Sequence, residues 1–281
     1  MSDARVAVVT DSTSYLPAEL VRERGITVVP LQVVIAGTSY DEGDATSGTV
    51  AEALRTRQPV TTSRPGPAAF AAAYAQAAEA GSTAVVSVHL SAQMSGTVES
   101  ARLAAKESPV PVEVVDSESL GMGLGYAVLS ATAVAAAGGS IDEVAEAARK
   151  RAAASHAVFY VDTLEHLRRG GRIGAAAALL GSALAVKPLL QMVGGHIEAL
   201  EKVRTSAKAI ARLEEVVVGL AGSGPVDLAV HHLASPDRAD QLAARLRERV
   251  PGLGDLHVSE VGAVVGAHVG PGMLAVVVAP R

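Results

Sequence analysis

Val6-Ala7-Val8-Val9-Thr10-Asp11-Ser12-Thr13 is an apolar run that stops abruptly at two threonines, a carboxylate and a serine. A short apolar run followed by turn formers suits a buried strand that feeds a turn. A helical segment, Leu16–Arg24, comes directly after it. The same order recurs further on. Ala84–Val88 runs into Ser91-Ala92-Gln93-Met94-Ser95-Gly96-Thr97 and then a helix over Thr97–Lys106. Val112–Val115 runs into Asp116-Ser117-Glu118-Ser119 and then two Ala-rich helices, Leu120–Ala137 and Ile141–Ala154. Thr27–Ile35 reads as another strand, and Thr46–Arg57 and Ala68–Ala80 as helices. Strands alternating with helices predict right-handed βαβ units and a parallel sheet.

The rhythm changes after about residue 156. Ala157–Val161 and Leu189–Val193 read as strands, and Gly194-Gly195 turns the second into Ile197–Leu200 as a hairpin. Val226–His231, Leu256–Val261 and Met273–Ala279 are further strands, with helices at Ala175–Leu184, Ala207–Leu220 and Pro236–Arg249. The expectation is an α/β fold of two domains. Residues 1–155 form a parallel-sheet domain, and residues 156–281 form a domain with a mixed sheet. No Gly-, Ser- or Pro-rich linker separates them, and no internal repeat is visible.

Composition narrows the function. The 281 residues are 49% hydrophobic but only 2% aromatic, so the core is built from Ala, Val and Leu. With no cysteine there is no disulfide, thiolate metal site or Cys nucleophile. A net charge of −5 without a long basic run argues against nucleic acid as a partner. Leu120–Ala137 is interrupted by Gly121, Gly123 and Gly125, so it reads as a buried helix and not a membrane span. The start of the chain lacks signal-peptide features, which points to a soluble cytoplasmic protein. No phosphate-binding loop occurs, and Gly121-Met122-Gly123-Leu124-Gly125 is not a dinucleotide fingerprint. His231 and His232 are adjacent on a strand and face opposite sides, so they do not chelate one metal. No cofactor or metal is implied.

The hydroxyl-rich turns carry the next step. Turns after parallel strands gather at the carboxyl edge of the sheet, where ligands bind. Ser95-Gly96-Thr97 offers backbone N–H groups and two hydroxyls at a helix start; taken alone, such a turn is better explained by plain N-capping, and several on one edge point to a polar pocket. Thr61-Thr62-Ser63-Arg64-Pro65-Gly66-Pro67 is a stiff, extended polar loop that either reaches a ligand or caps the helix near Ala68. In Arg168-Arg169-Gly170-Gly171-Arg172 the glycines allow a sharp turn, with Arg172 at the start of the next helix. Arg204 precedes a helix in the same way. Gly266-Ala267-His268-Val269-Gly270-Pro271-Gly272 reads as a tight turn into a buried strand, holding His268 near the strand end.

These segments carry a family resemblance. Val9-Thr10-Asp11-Ser12-Thr13, Thr62-Ser63-x-Pro65, Ser95-Gly96-Thr97, Asp116-Ser117-x-Ser119-x-Gly121-Met122-Gly123, Leu167-x-x-Gly170-Gly171-Arg172-Ile173, Lys187-Pro188, Glu201-Lys202-Val203-Arg204-Thr205 and Gly266-Ala267-His268-x-Gly270-Pro271-Gly272 stand in the order of the DegV family. The resemblance covers nearly the whole chain. It implies a two-domain α/β protein with a long-chain fatty acid, such as palmitate, buried between the domains. It further implies a role as the fatty-acid-binding subunit of bacterial fatty acid kinase. A separate kinase catalytic subunit would phosphorylate the carboxylate to an acyl phosphate that enters phospholipid metabolism. By the same resemblance Thr62 and Ser95 bind the carboxylate, with Thr61, Gly96 and Thr97 beside them, and Arg172, Arg204 and His268 complete the site. Arg64 stands where the family usually has Gln, and adds a charge. Two rival readings remain: a hydrolase with Ser95 as nucleophile and His268 as base, which lacks the nucleophile elbow, and a carrier of another lipid.

Overall fold

The computed structural model describes residues 5–179 and 187–281. They divide into two compact units. The first comprises residues 1–32 and 63–154, and the second residues 33–62 and 155–281. The N-terminal 155 residues are therefore not one continuous domain, because Val33–Thr62 packs with the C-terminal half.

In the first unit β1 (Val6–Asp11) leads through a 3-10 turn and α1 (Ala18–Glu23) to β2 (Thr27–Val29). The expected strand Thr27–Ile35 is in fact two. Pro30 has no N–H to donate, so the ladder breaks there. The Leu31 amide bonds the Ser12 hydroxyl instead, at 3.0 Å. The chain then leaves through β3 (Gln32–Ile35), β4 (Thr38–Asp41), α2 (Ser47–Arg55) and β5 (Val60–Ser63). It returns as α3 (Pro67–Glu79), β6 (Ala84–His89), α4 (Thr97–Ala105), β7 (Val112–Asp116), α5 (Met122–Ala136) and α6 (Ile141–Ala154). The sheet order is β2-β1-β6-β7, and every pairing is parallel. Every residue of β6 is buried, as expected for a parallel strand covered on both faces. Phe70, Ala73, Tyr74 and Ala77 recur at helical spacing along α3 and bury against Val9 and Val85.

The second unit continues with β8 (His156–Tyr160), α7 (Glu165–Arg169), a 3-10 segment at Gly174–Leu179, β9 (Lys187–Val193) and β10 (His196–Val203). Then follow α8 (Ser206–Ala221), β11 (Val226–His232), α9 (Pro236–Arg249), β12 (Leu253–Glu260), α10 (Ala263–Val269) and β13 (Leu274–Pro280). The helix expected at Ala175–Leu184 is a 3-10 helix as far as Leu179, and its remainder lies outside the described residues. The sheet order is β10-β9-β8-β13-β11-β12, mixed as expected, with β11·β12 the parallel pair. Gly194 and Gly195 both have positive φ, 53° and 79°, and close the β9–β10 hairpin in two residues. The strands β4-β3-β5 make a separate small sheet. Val33, Ile35 and Val50 of that excursion bury against Ala263 and Ala267 of α10. Among the described residues no helix is long and apolar enough to cross a membrane.

Candidate functional site

The polar turn after β1 closes on itself. Asp11 lies at the carboxyl end of β1 and is fully buried. Its Oδ1 accepts from the Thr13 amide at 3.0 Å and the Thr13 hydroxyl at 2.5 Å. Its Oδ2 accepts from the Leu90 amide at 2.9 Å and from His89 Nδ1 at 3.1 Å. The other ring nitrogen of His89 bonds Ser87 at 2.7 Å, and the Tyr74 hydroxyl donates to Ser87 at 2.9 Å. One orientation satisfies the whole chain, with Tyr74 donating to Ser87, Ser87 to His89 and His89 to Asp11. An internal carboxylate thus fills the sheet edge where a ligand would sit in an open α/β sheet. Asp116 is likewise spent on backbone amides, those of Ala92 and Glu118. The carboxylates of both turns are thus engaged within the protein itself.

The turn after β6 differs. Gly96 is the N-cap of α4, and the Ser95 and Thr97 hydroxyls share a bond of 2.8 Å. The exposed Arg64 side chain lies across Gly96 so closely that a Cβ there would collide with its guanidinium. Arg64 forms no hydrogen bond or ion pair among the described residues. Ser95, Gly96, Thr97 and Arg64 therefore make one group, all within the first unit.

A second group forms in the second unit. Thr61 and Thr62 lie on β5, not in a loop, and strand alternation leaves Thr61 exposed and Thr62 partly buried. His268 lies in the last turn of α10. The expected tight turn at Gly266–Gly272 is thus a helix ending, with Gly270 as its cap at φ 74°. The Thr62 hydroxyl and His268 Nε2 are 2.8 Å apart. Burial, and then the nearby Arg172 charge, push the His268 pKa down to about 4, so the ring is neutral at pH 7. His268 Nδ1 is buried and has no hydrogen-bond partner among the described residues.

Gly170 explains that packing. Its φ of −73° is ordinary for any residue, but a Cβ on it would collide with His268 Nδ1. The turn itself needs Gly171, whose φ is 69°. Arg172 Nη1 donates to the Gly170 carbonyl at 2.6 Å and braces the same peptide. Thr62, Arg172 and His268 are therefore brought together. Arg204 is exposed just after β10 and forms no hydrogen bond or ion pair with them. Sequence reasoning assigned Gly170 to turn geometry and so missed its role as the wall behind His268. The only available signal was the doubled glycine.

The two nucleophile-and-base partners of the hydrolase reading are engaged elsewhere: Ser95 bonds Thr97, and His268 bonds Thr62. Among the described residues no group of three or more His, Asp or Glu side chains could hold a metal ion.

The model of a family described as "Uncharacterised protein, DegV family" matches residues 5–281. A DegV domain-containing protein of Streptomyces coelicolor is 61% identical over 277 residues, which cover 98% of this chain and 99% of the relative. A solved structure described as a fatty-acid-binding DegV family protein from Thermus thermophilus superimposes with a TM-score of 0.93. It is 34% identical, and 99% of this chain and 100% of that one are covered. DegV of Bacillus subtilis, described as a fatty acid binding protein, gives a TM-score of 0.91 at 33% identity, with 99% and 100% covered.

Proposed function

The chain belongs to the DegV family, and on that premise we propose that it binds one long-chain fatty acid and presents the carboxylate to a separate kinase. The observation that carries this reading is the Thr62–His268 hydrogen bond with its neutral imidazole. Only one of its two arrangements leaves Thr62 a proton for a ligand. When His268 Nε2–H donates to Thr62, the Thr62 hydroxyl is free to donate to a carboxylate. Nδ1 is then a bare acceptor, and no N–H is left orphaned in the interior. In the first unit Ser95 and Thr97, at the start of α4 beside Gly96, are further neutral hydroxyl donors suited to an anion. Neutral donors hold a carboxylate without locking its oxygens in a tight ion pair.

Affinity comes from the tail. Burying about 14 methylenes at ~0.8 kcal/mol each contributes on the order of 11 kcal/mol before ordering costs of several kcal/mol. The headgroup contacts therefore set orientation more than retention. A carboxylate oxygen then attacks the γ-phosphorus of ATP held by the kinase, ADP leaves, and Arg172 balances the incoming charge.

Protein purified from a lipid-replete host, extracted and examined by mass spectrometry, should yield one fatty acid per chain. Thr62→Ala should weaken palmitate binding by the roughly 1.5–3 kcal/mol of a hydrogen bond to a charged group. Acyl phosphate should form only when ATP, fatty acid, kinase and this chain are all present. No lipid in the extract and no uptake of added palmitate would refute the binding reading. Turnover without the kinase would refute the presenting role.

A further inference from the structure

The turn that ends α10 is boxed in by side chains with no part in the headgroup site. Gly272 has φ 91°, and a Cβ on it would collide with Asp162 Oδ2. Gly270 rests in the same way on the His166 ring. The Gly272 amide donates to the Leu233 carbonyl at 2.9 Å, and Arg238 reaches the Gly272 carbonyl at 3.4 Å while lying over the Tyr160 ring.

Asp162 is itself held. Lys187 Nζ donates to its main-chain oxygen at 2.8 Å and lies 3.4 Å from its carboxylate Oδ1. The Tyr160 hydroxyl donates to that same Oδ1 and is shared with Ser206. The carboxylate is thus pinned on one oxygen while the other supports Gly272. Lys187 contributes a charge-assisted bond and also fixes the backbone from which Asp162 projects.

We infer that Asp162 and Lys187 are positioning residues for His268, acting through the Gly270–Gly272 turn. His268 sits two residues before Gly270, at the end of a seven-residue helix with little internal stiffness of its own. Its ring meets Thr62 only if the helix end is held in register. The Asp162 carboxylate and the His166 ring supply that hold from the two glycine faces. For ligand affinity this inference rests on the fatty acid reading; for His268 geometry it stands alone.

The test uses the full chain with 15N-labelled histidine, the His268 ring signals being assigned by their loss in His268→Gln. Asp162→Ala and Lys187→Met should both shift the His268 ring nitrogens and weaken palmitate binding about tenfold. Lys187→Arg, which keeps charge and donors, should restore both. A general loss of stability would not move one ring's signals and spare the other histidines. Unchanged His268 signals in a folded Asp162→Ala or Lys187→Met protein would overturn the inference. If the parent protein takes up no palmitate, the fatty acid reading fails, and the ring signals still decide this one.

Discussion

A methyl group on Gly170 would occupy the place of the His268 ring edge. The backbone there accepts alanine without strain, since φ is −73°. Any effect of Gly170→Ala must therefore come from displacing His268. We expect it to weaken palmitate binding at least tenfold by calorimetry while costing little thermal stability. Gly171→Ala is the matched control. It forces a side chain into the left-handed region at φ 69°, at about 1 kcal/mol, away from the imidazole. It should lower the melting temperature and leave binding within about twofold. If the two variants exchange these phenotypes, the assignment of Gly170 to the site is wrong.

Among the elements, β1 and β6 are tied by more than their ladder. The buried chain from Tyr74 through Ser87 and His89 to Asp11 joins α3, β6 and β1. Burial holds the Tyr74 pKa up at about 12, so its hydroxyl remains a donor. Asp11→Ala strands the Thr13 and Leu90 amides and His89 Nδ1 without an acceptor. Each buried unsatisfied group costs about 1–3 kcal/mol. We expect a total loss on the order of 4 kcal/mol, read from the urea midpoint at unchanged slope. A loss under about 1 kcal/mol would mean that water or repacking replaces the network. Because this turn serves the core, its variants should alter stability before they alter ligand binding.

For the whole molecule, pH is a lever with a definite sign. Burial lowers the His231 pKa to about 4, and His268 is lowered to about 4 as well. In the unfolded chain both return to about 6.5. Between those values the unfolded state binds more protons, so stability falls as pH drops from about 6.5 to about 4. For the fully buried His231 the full effect is on the order of 3 kcal/mol. Urea unfolding at a series of pH values should show this decline, and His231→Gln should flatten part of it. A profile that is flat from pH 7 to 4.5 would refute it.

The alternation of apolar runs and hydroxyl-rich turns was enough to place most of the strands and helices, though not β4, β5, α7 or α10. The reason is that burial of a strand or helix face is written in residue spacing. The switch from a parallel to a mixed sheet was legible too, through the Gly194-Gly195 hairpin. The sequence order of the turns also carried the family resemblance, and with it Thr62, Arg172 and His268. What it could not show is which turns face inward. Asp11 and Ser95 follow strands of the same sheet in similar surroundings, yet one is consumed by a histidine 78 residues away and the other pairs only with its neighbour. Nor could it show that Val33–Thr62 leaves its neighbours to bury Val33 and Val50 against α10, more than 200 residues on. Those outcomes depend on contacts between segments far apart in the chain. Local spacing sets which face of an element is apolar, and only the closed tertiary structure decides what that face and its flanking polar groups meet.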